Sequence, residues 1–152
     1  MDLARCSDLT TDSMSALGLS VDSLGEYLDI CTAANNNANT TAEALMEAFI
    51  GCGGAAKTVG ADLTDMATAL GVLANNGTKG SEAGTALNAM LVRISSKDTA
   101  IKAMHELGVS AFDASGEFIG LNEVLVQLSD AMSGLTTEQQ TAYMSDIAGT
   151  HY

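Results

Sequence analysis

Gly77-Thr78-Lys79-Gly80-Ser81 comes nearest to a chemical motif in this chain. A phosphate-cradling loop uses backbone N–H groups and a lysine to hold anionic oxygens, but it needs Gly-Lys-Ser/Thr in that order after a strand. Here Gly80 separates Lys79 from Ser81, and the residues before Gly77 have helical periodicity. The segment therefore reads as a tight link between helices. His105 and His151 are too far apart for an H-E-x-x-H site, and His105-Glu106 lacks a second histidine one turn on, so it reads as an exposed polar pair. Cys6, Cys31 and Cys52 are odd in number and make no C-x-x-C. Cys31 and Cys52 fall on apolar helical stripes, as small core residues of a reducing compartment do. Nothing in the spacing demands a Cys–His nucleophilic pair. The acids Asp62, Asp65, Glu82 and Glu123 fall in first turns of predicted helices, where they complement the macrodipole. No catalytic residue, metal ligand or cofactor is assigned, and the chain is expected not to be an enzyme.

The elements that hold these residues are mostly helices. The chain has 152 residues and no proline, and aromatics make up only 4%, so a core must come from Leu, Ile, Val, Met and much Ala at closely approaching helices. Leu24, Tyr27, Leu28 and Cys31 follow the i, i+3, i+4, i+7 template behind Ser20 as N-cap. Asn35 to Asn39 then reads as a polar loop. Thr40 and Glu43 read as a capping box before a helix burying Leu45, Phe49, Cys52, Ala56 and Val59. Gly51, Gly53 and Gly54 weaken that helix and permit close approach of a neighbour. A helix opened by Asp62 stops at Asn75-Asn76-Gly77, which favours a left-handed C-cap. Ser81 caps the next helix, along Ala83, Leu87, Met90, Leu91 and Ile94, and Gly80 and Gly84 point to close packing at its start. A shorter helix with Met104 ends at Gly108.

The period then changes. Val109 to Phe112 and Phe118-Ile119 flank the turn-forming Asp113-Ala114-Ser115-Gly116, which predicts a small β-hairpin over 109–119. Leu121 to Met132 resume the helical stripe, and Thr136 with Gln139 makes a capping box for a last helix through Ile147. The expected fold is thus mainly α: a compact multi-helix arrangement with one hairpin, as a single helical domain over residues 1–152.

Six basic against nineteen acidic residues give a formal charge of −13, with the lysines and arginines scattered singly. Phosphate backbones need clustered positive charge, so direct nucleic-acid binding is not expected. No basic region followed by an apolar run opens the chain, and no window reaches the length of a membrane span.

Thr68-Ala69-Leu70-Gly71-Val72-Leu73-Ala74-Asn75-Asn76-Gly77-Thr78-Lys79-Gly80-Ser81-Glu82-Ala83-Gly84-Thr85-Ala86-Leu87 closely resembles the hallmark of phage tail tape measure proteins: a helix, then Asn-x-Gly-x-Lys-Gly-Ser-x-Ala-Gly-Thr-Ala-Leu. Leu107 to Gly116 is similar to the family's Leu-Gly-Val/Ile-x-x-Phe-Asp-x-x-Gly hairpin, and Ser133 to Thr150 to its closing helix. The resemblance covers about Asp8 to Thr150, nearly the whole chain.

The resemblance implies a structural and assembly role in a phage or prophage tail. Proteins of that family lie in the tail lumen, set tail length and leave as the genome is ejected. Expected partners are the tail tube, tail chaperones, the tail initiator complex and sister copies, with the host cytoplasm as the site of assembly. The family's chains are usually much longer, so this one is expected to be the shared region cut from a longer ruler. Asn75, Gly77, Lys79, Gly80, Ser81, Glu82, Gly84 and Thr85 are the candidate interaction or structural signature. The alternatives are a fragment of a peptidoglycan-degrading tail enzyme and a generic helical interaction domain.

Overall fold

Asp2 accepts a hydrogen bond from the Arg5 amide at 2.8 Å and so starts a helix that the apolar period alone does not reveal. The computed structural model describes residues 2–149, and among these eight α-helices carry the fold. They fall into two compact units, Met1–Asn88 and Ala89–Tyr152.

In the first unit, α1 (Leu3–Leu17) buries Leu9, Ser13 and Met14 and stops at Gly18. A 3₁₀ turn, Val21–Ser23, precedes α2 (Leu24–Asn37), so Ser20 caps that turn and not the α-helix. The expected asparagine loop is shorter than its composition implies, because Asn35 to Asn37 lie inside α2. Their amides find local partners: Asn37 Nδ2 donates to the Ala33 carbonyl at 2.7 Å, and Asn35 Oδ1 accepts from the Ala42 amide at 3.2 Å.

Helix α3 (Ala42–Val59) is capped by Thr41, one residue later than expected, with Oγ1 accepting from the Ala44 amide at 3.1 Å. Glu43 is thereby freed from a capping box and bonds Arg5 of α1. Helix α4 (Leu63–Asn75) is capped by Asp62, as the sequence predicts.

Helix α3 forms the middle of this unit: α1, α2 and α4 all contact it. The Tyr27 and Phe49 rings meet at 5.9 Å between centroids, tilted by 53°. The Tyr27 hydroxyl donates to Ser13 Oγ, which donates to the Leu9 carbonyl at 2.6 Å. That chain explains a serine in the buried stripe of α1, since a buried hydroxyl needs a partner. Cys31 and Cys52 are fully buried beside these rings as small apolar residues, and burial pushes both thiols up to about 11.

The second unit takes the end of α5 (Gly80–Ser96), then α6 (Asp98–Glu106), α7 (Leu121–Met132) and α8 (Thr137–Ala148). Helix α6 packs on α8. Leu91, Ile94, Met104, Leu121, Val124 and Ile147 are buried. Thr136 and Gln139 form the expected capping box, at 3.2 Å and 3.1 Å. Arg93 reaches the far end of α8, donating to the Ile147 carbonyl at 2.9 Å and the Asp146 carbonyl at 2.7 Å. Thr150 and His151 lie outside the described residues.

The hairpin expected over 109–119 does not form. No strand occurs among the described residues; what remains is an isolated antiparallel bridge between Phe112 and Phe118. The turn itself is present, with Asp113 Oδ1 accepting from the Ser115 and Glu117 amides at 2.8 Å and 3.0 Å. The arms are too short for a ladder. Upstream, the Val109 amide is taken by the Met104 carbonyl at the end of α6, and Ser110 Oγ accepts from the Phe112 amide. Downstream, Gly120, at φ 104, turns the chain directly into α7. The two phenylalanine rings, 6.0 Å apart, close the loop by side-chain contact.

Two outcomes are expected from solution measurements. Replacing Thr136 by Ala removes one half of the capping box and should cost about 1 kcal/mol in denaturant unfolding. Stability should also fall as pH rises above about 8.5, where unfolded thiols ionise while Cys31 and Cys52 stay protonated to about 11. The sign follows from the raised folded-state values: the contribution is complete below the unfolded value and lost on approach to the folded one. Urea midpoints from pH 7 to 11 check it, and the Cys31→Ala, Cys52→Ala double variant should show a shallower decline.

Candidate functional site

The signature segment from Asn75 to Thr85 is built around the end of α4 and the start of α5. Helix α4 closes with the two bonds of a Schellman motif: the Thr78 amide donates to the Leu73 carbonyl at 2.9 Å, and the Gly77 amide to the Ala74 carbonyl at 3.0 Å. Gly77 takes the left-handed position at φ 95, as the Asn-Asn-Gly sequence predicts. Asn75 Oδ1 accepts from the Asn39 amide at 2.7 Å and ties the α2–α3 link to the end of α4.

Helix α5 begins at Gly80, so Ser81 lies in its first turn and not at the cap. The Ser81 carbonyl accepts from Thr85 Oγ1 at 2.9 Å. Gly84 is buried, and a Cβ there would lie 2.9 Å from Ala48 Cα and still closer to the Ala48 carbonyl oxygen. Gly51 faces it from α3, where an added Cβ would lie 3.3 Å from Gly84 Cα. The close packing expected from Gly80 and Gly84 is therefore present at Gly84, backbone against backbone.

The signature thus separates by direction. Gly77 and Gly84 shape the link and its packing, and Asn75 pins a neighbouring loop. Lys79, Ser81, Glu82 and Thr85 are exposed. No strand precedes the link, so the phosphate-loop reading fails on structure as well as on order.

One polar cluster was missed by the sequence reading. Arg5 of α1 donates from Nε to Glu43 and from Nη2 to Glu47, side by side one turn apart on α3. Its guanidinium is held charged above its ordinary range, first by the hydrogen bond it donates to Glu43. Glu47 also lies beside the start of α5, its Oε2 3.2 Å from where a Gly80 Cβ would be. The available signal was two glutamates at i, i+4 in the otherwise apolar stretch from Ala42 to Ala56, with Arg5 the lone basic residue before Lys57.

Nucleophilic and metal chemistry find no assembly among the described residues. No group of three or more His, Cys, Asp or Glu side chains among the described residues is placed to hold a metal ion. Cys31 and Cys52 are buried in the first unit, and His105 is exposed in the second. A shallow polar recess in the second unit is lined by Asp98, Lys102, Glu106 and Asp146. No helix of the described residues is long and apolar enough to cross a membrane.

Comparison with known proteins adds a family to this geometry. A family described as phage-related minor tail protein matches residues 1–149. The tape measure protein of Pneumococcus phage Dp-1 is 35% identical over 149 residues, covering 97% of this chain and 13% of that protein. A probable tape measure protein of Escherichia phage P2 is 30% identical over 138 residues, covering 89% of this chain and 17% of its own length. The chain spans less than a fifth of the length of these relatives. No solved structure matches. With a match that runs through both units and the signature between α4 and α5, this chain belongs to the phage-related minor tail protein family.

Proposed function

We propose that this chain is a folded, non-catalytic module of a tape measure protein, working in phage or prophage tail assembly and residing in the tail lumen. The observation that carries this reading is the similarity to the Dp-1 tape measure protein along 97% of the chain. Residues 1–152 act as one functional domain in it.

The module organises and does not measure. A helix advances about 1.5 Å per residue, so length is measured by long continuous helix. The longest helix here, α3, has 18 residues, and its neighbours fold back on it. Measuring then belongs to other parts of a longer protein.

Docking falls to the exposed side of the signature. Lys79, Ser81, Glu82 and Thr85 project from a link whose glycines and Asn75 are already committed to backbone geometry and packing. A lysine and a glutamate held on one rigid corner offer a specific pair of charges to a tail tube, chaperone or initiator protein, or to a sister copy. The net charge of −13 makes direct binding of the genome unfavourable.

The experiment is to place Lys79→Ala and Glu82→Ala together in the producing phage and count tails by electron microscopy. The isolated double variant should melt within a few degrees of the parent, since exposed substitutions typically cost under about 0.5 kcal/mol. Intact tails should nevertheless become scarce or irregular in length. Normal tails in normal number would remove the docking role from these residues.

A further inference from the structure

The first unit carries an apolar groove that its own helices leave open. Ile30, Ala33 and Ala34 of α2 form one wall, and Ala67, Gly71 and Val72 of α4 the other, around about 340 Å³. Val72 is 56% exposed on this wall, large for a valine with an apolar recess beside it. The C-terminal ends of α2 and α4 are joined through Asn39 and Asn75, so the two helices lie side by side in the same direction.

Charge along the groove is one-sided. Glu26 and Asp29 precede Ile30 and Ala33 on the same stripe of α2 at helical spacing, and both are exposed. Asp62 and Asp65 stand at the corresponding end of α4. Toward the other end the groove is lined by Asn37 and Asn75, whose side chains carry no charge. Neither α2 nor α4 contains a lysine or arginine.

We infer that this groove receives an amphipathic α-helix whose apolar ridge enters it and whose last turns carry lysines or arginines. Two side-by-side helices with small residues between them present the trough that a third helix ridge fills. Positive side chains in the last turns of the incoming helix would meet Glu26 and Asp29. They also suit that helix's own dipole, and the orientation, antiparallel to α2 and α4, sets its dipole favourably against theirs. A second copy of this chain is a poor occupant, because each copy brings a charge of −13. The inference needs only the groove and its charge, and does not depend on the tail reading.

The probe is a fluorescent synthetic peptide of about 18 residues, with leucines at i, i+3, i+4 and i+7 and lysines in its last turns, titrated with the full chain by anisotropy. A matched peptide with glutamates in place of the lysines is the charge control. Saturable binding of the lysine peptide is expected, weakening with salt. Ala33→Gln and Thr68→Gln each place a long neutral side chain at an exposed groove position, and either should weaken it about tenfold with circular dichroism unchanged. Glu26→Gln with Asp29→Asn should weaken it severalfold and flatten the salt dependence. Binding that is untouched by the groove variants would mean general attraction to an acidic protein and would overturn the proposal. So would equal binding of the two peptides, or no saturable binding up to about 1 mM. A dimer by sedimentation that Ala33→Gln dissolves would assign the groove to a second copy instead.

Discussion

The first unit rests on how closely its backbones approach α3. At Gly53 an added Cβ would lie 2.7 Å from the Ala16 carbonyl carbon and oxygen of α1. At Gly84 it would collide with Ala48 across the α3–α5 contact. Real side chains do not fit at such distances, so these glycines are where neighbouring helices come into direct backbone contact. A core poor in aromatics has little bulk to fill space between helices. Bringing the helices together is the alternative, since interiors must be packed to crystal-like density. The 4% aromatic content and the glycine contacts are two sides of one solution.

Polar groups are fitted around that packing. Arg5 bridges Glu43 and Glu47 across the α1–α3 contact, an exposed pairing that adds little stability by itself. Inside, the Tyr27–Ser13–Leu9 chain leaves no buried side-chain oxygen or nitrogen without a partner among the described residues. The same geometry shapes the signature. Once Gly84 is committed to Ala48, the α4–α5 link must turn sharply, and Gly77 and Gly80 at positive φ allow it. The exposed Lys79 and Glu82 are carried on that corner.

Much of this was legible in the sequence. The stripe of α3 placed Leu45, Phe49, Cys52 and Ala56 in the core, where they are buried, because apolar side chains at helical spacing admit few other burial patterns; Val59, at the end of the same stripe, is only half-buried. Asp62 and the Thr136–Gln139 box were legible because a cap is a local bond. Helix α1 was hidden by Ser13, a polar residue in its buried stripe whose partner, Tyr27, is distant in sequence. The hairpin was over-read from a genuine turn: composition identifies the turn, but the room left for strands depends on where α6 ends and α7 begins. Thr40 and Thr41 are chemically equivalent, and only tertiary contacts, with Glu43 drawn to Arg5, favour the later one. Of the signature, the roles of Gly77 and Gly84 were legible. The groove between α2 and α4 was not, since it depends on two helices separated by the whole of α3.

Equilibrium unfolding of Gly53→Ala and Gly84→Ala, with Gly54→Ala as reference, tests the backbone-contact account most directly. By helix propensity alone each change should stabilise by up to about 1 kcal/mol. Gly54, with nothing within 4 Å of an added Cβ, should follow that rule. The other two should instead lose roughly 1–3 kcal/mol, as overpacked sites do. Equal stabilisation at all three positions would contradict the account.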